Sequence, residues 1–524
     1  MMAKLFVFVP GIRLKASSWQ PLIQQLEQDP LWRTDSQVLT WDHGTGILGR
    51  KPLLDIAGHL AAEINTAVAV RRASSKPPFD EIVLVGHSMG ALLVRQAYLI
   101  GLGSALNKMR PKPWARMVSR IVLLAGVNSG LSLSIWRRLL ATLVLSRRGT
   151  VHDLLRGSDF VTNLRLWWIR KLTTLDRRPI VVQLLGSTDD LVSREDSLDI
   201  EGFVEGHQFE VKGFDHLSLL IPGRGMTFDD KQYDILSLAI LGAIADDAAP
   251  PPTFDPQQKV FFVVHGIRDS NNDWVKDLEK RIGAAFPGSK VIEPDVGRFS
   301  ALQFLIPAQR NRYVRWFQAV YSQEFAKNPL ASFNFVGHSY GTYLLGHSLR
   351  KLSGMKFDRV YLGGSVLPED WLWEQHRTQV SELRNSRASH DVPVGILCSA
   401  LRGIGMKDIG TAGYTGFRLA FAERSEWRFY RGGHDATVAE NVRPHIIGFL
   451  REGFGFAEPP LDGENAGFSR ASAAVRILLP AVLALWITLI VVSAFWPPLQ
   501  HTFRWTLGTF LAFVFVLVGI TAFY

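Results

Sequence analysis

Two serines of the sequence stand at the centre of the same pentapeptide pattern, G-x-S-x-G. Ser88 lies in GHSMG and Ser339 in GHSYG, and each pattern follows an apolar, β-rich run and precedes a stretch with helical apolar spacing. Glycines on both sides of the serine leave room for a sharp strand-to-helix turn that exposes the hydroxyl. That hydroxyl is a weak nucleophile until a histidine removes its proton. The two patterns therefore predict two candidate nucleophiles for acyl transfer.

The first serine is followed by a histidine and a carboxylate that could complete its chemistry. His216 stands at a turn in GFDHLSLL, and the apolar strand VVQLLG is followed by Asp189 and Asp190. A carboxylate beside the histidine would hold the imidazole in the tautomer that accepts the serine proton. Either of the two aspartates could serve as this acid, whereas Asp215 is interpreted as a turn residue.

The second serine is followed by a histidine but by no obvious acid. His434 in RGGHDATV is well placed, and VPVGILCSA is interpreted as the strand before the acid. Arg402 then stands near the position expected for an aspartate, and Asp408 follows late. Asp370, after the preceding strand, is an equal alternative to Asp408, and loss of the acid is a third possibility. The first half of the chain is therefore the better candidate for the working enzyme.

The two halves align with each other beyond the serine pattern. KLFVFVPGIR opens the first half and KVFFVVHGIR the second, so that in each an apolar run ends in a Gly-Ile-Arg turn. Trp19 follows Gly11 at the spacing at which Trp274 follows Gly266. We infer an internal duplication on the scale of a whole domain.

With these motifs, both halves resemble the α/β-hydrolase fold, and the first half resembles its lipase and esterase members. The resemblance implies an α/β protein of two consecutive α/β-hydrolase domains, each a mostly parallel sheet flanked by helices, with a triad in the order serine, acid, histidine. Family members commonly carry G-x-x-D-x-x-V after the acid strand. Gly186, Asp189 and Val192 fit that pattern, which favours Asp189 over Asp190.

The resemblance also implies backbone N–H donors that stabilise a developing oxyanion. One donor is expected from the residue after each serine, Met89 and Tyr340, and the other from the residue after each turn glycine, Ile12 and Ile267. Pro10 stands where many family members have a histidine. This departure need not matter, because the donors are backbone groups.

Composition shifts predict where the domains begin and end. PPPTFDPQQ reads as an interdomain linker, and GFGFAEPPLDGENAGFSR as a looser approach to an apolar tail. The predicted organisation is a first domain at 1–245 with a cap at about 129–178, a linker at 246–258, a second domain at 259–452, a linker at 453–475 and a transmembrane hairpin at 476–524.

Composition also limits the function. The chain has 524 residues, too many for one ordinary core, and 47% of them are hydrophobic, as in a folded protein. A single cysteine, Cys398, excludes an internal disulfide and a thiolate zinc site. No H-E-x-x-H, P-loop or complete dinucleotide motif is present, so the sequence implies no metal and no nucleotide cofactor.

The net charge of +10 is partly concentrated in the predicted cap. Many arginines between residues 129 and 178 are interleaved with leucines and with Trp136, Trp167 and Trp168. This pattern suits helices at a lipid headgroup boundary better than an element that reads nucleic acid. A solvated helical hairpin is the alternative interpretation.

Two uncharged apolar runs end the chain. Ile477–Trp496 and Trp505–Tyr524 are each about the ~20 residues that a membrane-crossing helix requires. Because the N-terminus does not have the pattern of a signal peptide, the catalytic body is expected on the cytoplasmic face. Arg470 and Arg476 before the first span agree weakly with this orientation, whereas Arg504 in the turn between the spans counts against it.

These features predict a membrane-anchored serine hydrolase of carboxylic esters. The triad of the first half would do the chemistry, on a lipid or another apolar acyl substrate. A non-catalytic or partly catalytic scaffold at the membrane is one alternative, and an acyltransferase or peptidase of the same fold is another. The sequence does not predict the oligomeric state.

Overall fold

The computed structural model describes residues 3–32, 35–46, 49–103, 110–131, 149–197, 206–222, 228–242, 254–267, 273–294, 301–419, 425–455, 465–495 and 507–510. The chain divides into two compact units. The first comprises Met1–Phe254 with Gln318–Pro329 and Leu352–Gly354, and the second comprises Asp255–Phe317, Leu330–Lys351 and Met355–Tyr524.

The first unit is built on a six-stranded, wholly parallel sheet. Its strands, in chain order, are β1 (Lys4–Val9), β2 (Gln37–Thr40), β3 (Glu81–His87), β4 (Val118–Leu124), β5 (Ile180–Gly186) and β6 (His207–Val211). Their order across the sheet is β2-β1-β3-β4-β5-β6. All carboxyl ends therefore meet at one edge, where the loops can bring functional side chains together.

Helices follow or connect these strands. They are α1 (Gln20–Gln28), α2 (Leu53–Ala73), α3 (Met89–Gly101), α4 (Thr150–Asp153), α5 (Asp159–Thr174), α6 (Arg194–Ser197) and α7 (Asp230–Leu241). Along β1, Leu5, Val7 and Val9 pack in a core that includes α2 and α3, whereas Phe6 and Phe8 pack in a core with α1 and α7. Burial of both faces explains why β1 is a continuous apolar run.

The second unit repeats the sheet. Its strands are β7 (Lys259–Val264), β8 (Lys290–Ile292), β9 (Ser332–His338), β10 (Phe357–Gly363), β11 (Val380–Ala388) and β12 (Ser425–Tyr430). They are parallel in the order β8-β7-β9-β10-β11-β12, which is the order of the first sheet. The fold class expected from the sequence, two parallel sheets flanked by helices, is confirmed.

The helices after residue 254 complete the fold. They are α8 (Asp273–Ala285), α9 (Ala301–Leu305), α10 (Pro307–Lys327), α11 (Tyr340–Lys351), α12 (Ser399–Gly403), α13 (Ala412–Thr415), α14 (Arg443–Glu452) and α15 (Ala466–Phe495). α8 and α14 pack on one face of the second sheet, in a core with Phe261 and Val263 of β7.

One predicted strand of the second half is wrong. The segment 392–400, interpreted as the strand before the acid, is helical: a π turn at Pro393–Cys398 runs directly into α12. The strand at that place in the sheet is β11, whose sequence VSELRNSRA is mostly polar. Arg384, Asn385 and Ser386 are fully buried there, with the Arg384 guanidinium 4.5 Å above the ring of Phe449. Because these buried residues are polar, nothing in the sequence indicated that β11 is a strand paired on both sides.

The predicted cap lies only partly within the described residues. Helix α5 belongs to this stretch, but most of its residues are buried: Trp168 is inaccessible to solvent, and Arg165 is only 4% exposed. Trp168 packs edge-on against Tyr98 of α3, and the guanidinium of Arg95 lies 4.8 Å above its ring. The interpretation of this half of the stretch as a lipid-facing element is therefore not supported, while residues 132–148 lie outside the described ranges.

Two described helices are long and apolar enough to cross a membrane, Leu53–Ala73 and Ala466–Val492. Helix α2 buries one side in the first core, as the connecting helix of a parallel sheet should. Helix α15 is different, because none of its most apolar window is buried. The second predicted span, 505–524, falls almost entirely outside the described residues.

The core position of α2 can be tested by paired substitutions. Leu60 is completely buried and Val70 is 64% exposed on the same helix. We expect Leu60→Ala to lower the free energy of unfolding by about 2 to 5 kcal/mol, because it removes core contacts and leaves a cavity. Val70→Ala should change it by less than about 0.5 kcal/mol. Equal effects in denaturant titrations of the detergent-solubilised chain would argue against α2 as a core helix.

Candidate active site

Each candidate nucleophile sits on a strained turn between a strand and a helix. Ser88 joins β3 to α3 with φ +53° and ψ −117°, and Ser339 joins β9 to α11 with φ +53°. Residues with a Cβ rarely adopt positive φ, so the surrounding structure must impose it. A hydrogen bond helps to do so in each unit. Ser88 N–H donates to the Leu124 carbonyl (2.8 Å), and Ser339 N–H donates to the Gly363 carbonyl (2.9 Å).

The glycines of the two patterns are required by close backbone approach. A Cβ built on Gly90 would lie 2.2 Å from the carbonyl oxygen of Val9, and one on Gly341 would lie 2.5 Å from that of Val264. A Cβ on Gly86 would lie 2.5 Å from the Gly90 carbonyl oxygen. The start of the helix after each serine therefore lies directly against β1 in the first unit and β7 in the second, and this close contact keeps the turn sharp.

The turn after the first strand of each sheet touches the serine. A Cβ on Gly11 would lie 2.9 Å from the Cβ of Ser88, and one on Gly266 would lie 2.8 Å from that of Ser339. Ile12 and Ile267, the predicted oxyanion donors, directly follow these glycines.

Met89 and Tyr340, the other predicted oxyanion donors, begin α3 and α11. The N–H of a first helical residue has no partner within its helix. The donor positions expected from the sequence are therefore grouped at each serine.

The two units fix this turn with different histidines. In the second unit, His265 lies immediately before Gly266, and its Nδ1 is 2.8 Å from the Gly266 carbonyl oxygen. In the first unit Pro10 occupies that place, and Nε2 of the distant His43 approaches the Gly11 carbonyl oxygen at 3.0 Å instead. The same backbone group is thus satisfied in both, which explains how Pro10 is tolerated.

In the first unit the structure brings the predicted acid and histidine together. Nδ1 of His216 is 2.9 Å from Oδ2 of Asp189, whose side chain is only 1% exposed. The other oxygen, Oδ1, accepts the N–H groups of Leu191 and Val192, each at 2.9 Å. Asp190 is exposed. Of the two aspartates that the sequence offered, Asp189 is therefore the one that contacts His216.

The second unit contains the corresponding pair, but with an acid that the sequence analysis missed. Both carboxylate oxygens of Asp391 lie 2.9 Å from Nδ1 of His434, and Asp391 is completely buried. Oδ1 also accepts the N–H of Val394 at 2.9 Å. Asp391 follows β11 at the distance at which Asp189 follows β5.

Asp408 and Asp370, the two acids proposed from the sequence, form ion pairs with arginines instead of contacting His434. Asp408 forms a bidentate ion pair with the buried guanidinium of Arg310 and accepts a hydrogen bond from the Tyr343 hydroxyl at 2.8 Å. These contacts hold the pKa of Asp408 below its usual value against the opposing effect of burial. Asp370 pairs with Arg402 at 2.7 Å. Asp391, and neither of these two residues, is therefore the acid paired with His434; Asp408 was expected because the helical segment 392–400 was interpreted as the preceding strand.

The histidine before each serine forms a hydrogen bond to the backbone of the histidine that pairs with the aspartate. His87 Nε2–H donates to the His216 carbonyl (2.8 Å), and His338 Nε2–H donates to the His434 carbonyl (3.2 Å). Burial, reinforced by the neighbouring histidine, lowers the pKa of His87 to about 3 and that of His338 to about 4. Both imidazoles are thus neutral donors, which links the loop of His216 or His434 to the elbow.

The residue after the fourth strand of each sheet also has positive φ. It is Ala125 in the first unit, at +44°, and Gly364 in the second, at +53°. A Cβ on Gly364 would lie 2.8 Å from Cε1 of His434, so only glycine fits beside that ring. Chain order could have revealed Asp391, because in each unit the aspartate is the third residue after the end of the strand.

Within the described ranges, no three histidine, cysteine or carboxylate side chains gather in a way that could hold a metal ion. The residue types at each site are those that acyl-transfer chemistry uses: a serine hydroxyl, a histidine paired with a carboxylate, and candidate backbone N–H donors.

Residues 6–297 match the alpha/beta hydrolase family, and this match covers more than half of the chain. The chain belongs to this family, to which the parallel sheet, the elbow serine and the order serine, acid, histidine also point. Among curated protein sequences, none matches the chain.

Several solved structures are similar to parts of the chain. Phospholipase PlaB from Legionella pneumophila is 19% identical over 36% of this chain and 38% of its own length, with a TM-score of 0.26. A carboxylesterase from Nitrososphaera gargenis is 16% identical over 46% and 92%, with a TM-score of 0.30. The peroxisomal hydrolase Lpx1 from Saccharomyces cerevisiae is 10% identical over 54% and 85%, with a TM-score of 0.31. The chain spans about two fifths of PlaB.

The assignment of Asp391 can be tested in a chain whose first serine is removed. In a Ser88→Ala background, we expect Asp391→Asn to lower the remaining esterase kcat by about 10⁴-fold, because the imidazole loses the partner that fixes its tautomer. The measurement is turnover of an activated ester, with circular dichroism to confirm folding.

Asp370→Asn in the same background is the matched control. Asp370 is more than half exposed and bonded to Arg402, so its substitution should change turnover less than about threefold, as expected for a surface pair. A larger loss from Asp370→Asn than from Asp391→Asn would contradict the assignment.

Proposed function

We propose that the protein is a membrane-anchored serine hydrolase of carboxylic esters, with a Ser-Asp-His triad in each of its two units. The observation that carries the proposal is the repeated pairing of a buried aspartate side chain with a histidine at 2.9 Å, in a loop that is hydrogen-bonded to the residue before a serine held at positive φ. A single such group could be a remnant of ancestry. Two groups, each with a sequestered carboxylate and a crowded elbow, support selection for catalysis in both halves.

The proposed reaction follows from the groups at each site. The histidine Nε2 accepts the serine proton while Oγ attacks the ester carbonyl carbon, and the aspartate stabilises the imidazolium that forms. The N–H groups of Ile12 and Met89, or of Ile267 and Tyr340, would hold the oxyanion. Collapse of the tetrahedral intermediate expels the alcohol, which takes the proton from the imidazolium. Water then attacks the acyl-serine by the same steps and releases the acid.

The second candidate triad changes which of the two units are expected to be active. The sequence ranked the first unit above the second because no acid was evident near His434. Asp391 removes that reason, because each unit has a buried aspartate side chain 2.9 Å from the Nδ1 of its histidine. We therefore propose that both units hydrolyse esters.

The exposed apolar surface of the C-terminal helix is the reason for proposing an apolar acyl substrate. Helix α15 exposes an apolar surface from Ile477 onward, and its best window has no buried residue. Anchored in a bilayer, such a helix would keep both units near lipid esters. Arg470 and Arg476, before the apolar part, support a cytoplasmic position of the body.

The proposal predicts the behaviour of the serine variants. We expect Ser88→Ala and Ser339→Ala each to remove part of the turnover of an activated short-chain ester. The double variant should lower kcat/KM by at least about 10⁴-fold, because both nucleophiles are then absent. Steady-state kinetics on the three purified variants, with circular dichroism as a folding control, measures this.

Other outcomes have distinct meanings. Full activity of the double variant would overturn the proposal, and loss of all activity in one single variant would leave one working triad and a retained scaffold. Repeating the assay with long-chain esters in vesicles tests the substrate class, since a preference for short, soluble esters would contradict an apolar acyl substrate.

A further inference from the structure

Helix α15 has two parts with different surroundings. From Ile477 onward its large apolar side chains are exposed, whereas Ser472, one and a half turns earlier, is only 5% exposed. The first three turns, residues 466–476, therefore pack on the second unit before the apolar part begins. We call these residues, with Asn465 before them, the docked segment.

The docked segment holds the chain on both sides of Asp391. Before the aspartate, the amide Nδ2 of Asn465 donates to Nε2 of His390 at 2.7 Å. After it, the Ser472 hydroxyl donates to the Gly395 carbonyl. The Ser399 hydroxyl, at the start of α12, donates in turn to the Ser472 carbonyl at 2.9 Å. The contacts thus bracket the acid along the chain.

Phe468 fills the space between these hydrogen bonds. A Cβ built on Gly395 would lie 2.5 Å from its ring carbon Cε1, so the ring lies directly on the backbone of the acid turn. The Phe468 ring also makes a T-shaped contact with Tyr414, with ring centroids 4.9 Å apart, and the Tyr414 hydroxyl is 2.6 Å from that of Ser469.

The acid turn transmits these contacts to the carboxylate. The Gly395 N–H donates to the Asp391 carbonyl at 2.7 Å, and the Val394 N–H donates to Oδ1, the oxygen that also faces His434 Nδ1. Gly395 and Asp391 are therefore the two ends of one hydrogen-bonded turn. A shift of Gly395 moves the carboxylate relative to the imidazole.

An ion pair fixes the segment where the apolar part begins. Arg476 donates to the buried carboxylate of Glu369 at 2.6 Å, and Arg402 of α12 approaches the same oxygen at 3.4 Å. The last docked turn is thus tied to the helix that follows the acid turn.

We propose that the docked segment is a positioning element for Asp391, so that the reactivity of Ser339 depends on the seating of the membrane helix. This rests on the proposed function, because it treats Ser339, His434 and Asp391 as a working triad. The acid of the first unit is held instead by its own loop, through Leu191 and Val192. Ser88 in the same chain is therefore an internal reference.

The experiment compares the two serines in the full-length protein in detergent or liposomes. A fluorophosphonate probe is added, and adduct formation at Ser88 and Ser339 is followed separately by peptide mass spectrometry. We expect Ser472→Ala and Phe468→Ala each to slow labelling of Ser339 by about tenfold, since small misplacements of a catalytic group lower its rate steeply. Labelling of Ser88 should stay within about twofold.

Two further variants separate positioning from general damage. Ser472→Thr keeps the hydroxyl and should restore most of the Ser339 rate, which a merely structural defect would not do. Arg470→Ala, on the exposed side of the same helix, should leave both rates unchanged. Circular dichroism and the Ser88 rate report on folding.

The outcomes are distinguishable. Equal Ser339 rates in the unaltered chain and in both Ser472→Ala and Phe468→Ala would overturn the inference and leave the proposed function intact. A parallel loss at Ser88 would also overturn it, since the effect would then not be specific to the second triad. Absence of Ser339 labelling in the unaltered chain would overturn the proposed activity of the second unit, and the inference with it.

Discussion

The positive φ of the two serines is the constraint on which the rest of each unit depends. A Cβ-bearing residue is held there only because the next strand accepts its N–H and the following helix is pressed against the first strand. That pressure excludes side chains at Gly90 and Gly341. It also brings the turn after the first strand against the serine, so that one backbone strain positions both the nucleophile and the candidate oxyanion donors.

The two units satisfy the same physical demands with different residues. The carbonyl of the turn glycine is met by His43 in one and by His265 in the other. The crowded position after the fourth strand holds Ala125 in one, whereas in the other the ring of His434 leaves space only for Gly364. In both, a buried neutral histidine joins the elbow to the loop of the second histidine. At these positions the two units thus share a hydrogen bond or a space rather than an amino acid.

Apolar strands made most of the fold predictable. Glu81–His87 and Ile180–Gly186 are buried on both faces, so their sequences are recognisable, and the position of Asp189 follows from them. β11 is an exception because its buried polar residues have tertiary partners. The Arg384 guanidinium lies above the Phe449 ring and donates to the His445 carbonyl, and Asn385 donates to the Ala412 carbonyl. The apolar segment after β11 has the composition of a strand, but a helix begins there, with Pro393 in its first turn and the Val394 N–H bonded to Asp391. Such tertiary partners have no local signal in the sequence.

We propose that one chain carries two independent acyl-transfer sites. This can be tested by titrating the purified full-length protein with a fluorophosphonate, followed by intact mass measurement and mapping of the modified peptides. We expect saturation at two adducts per chain, one on Ser88 and one on Ser339, because each unit pairs a histidine with a buried aspartate side chain. Saturation at one adduct, or modification at any other residue, would contradict it.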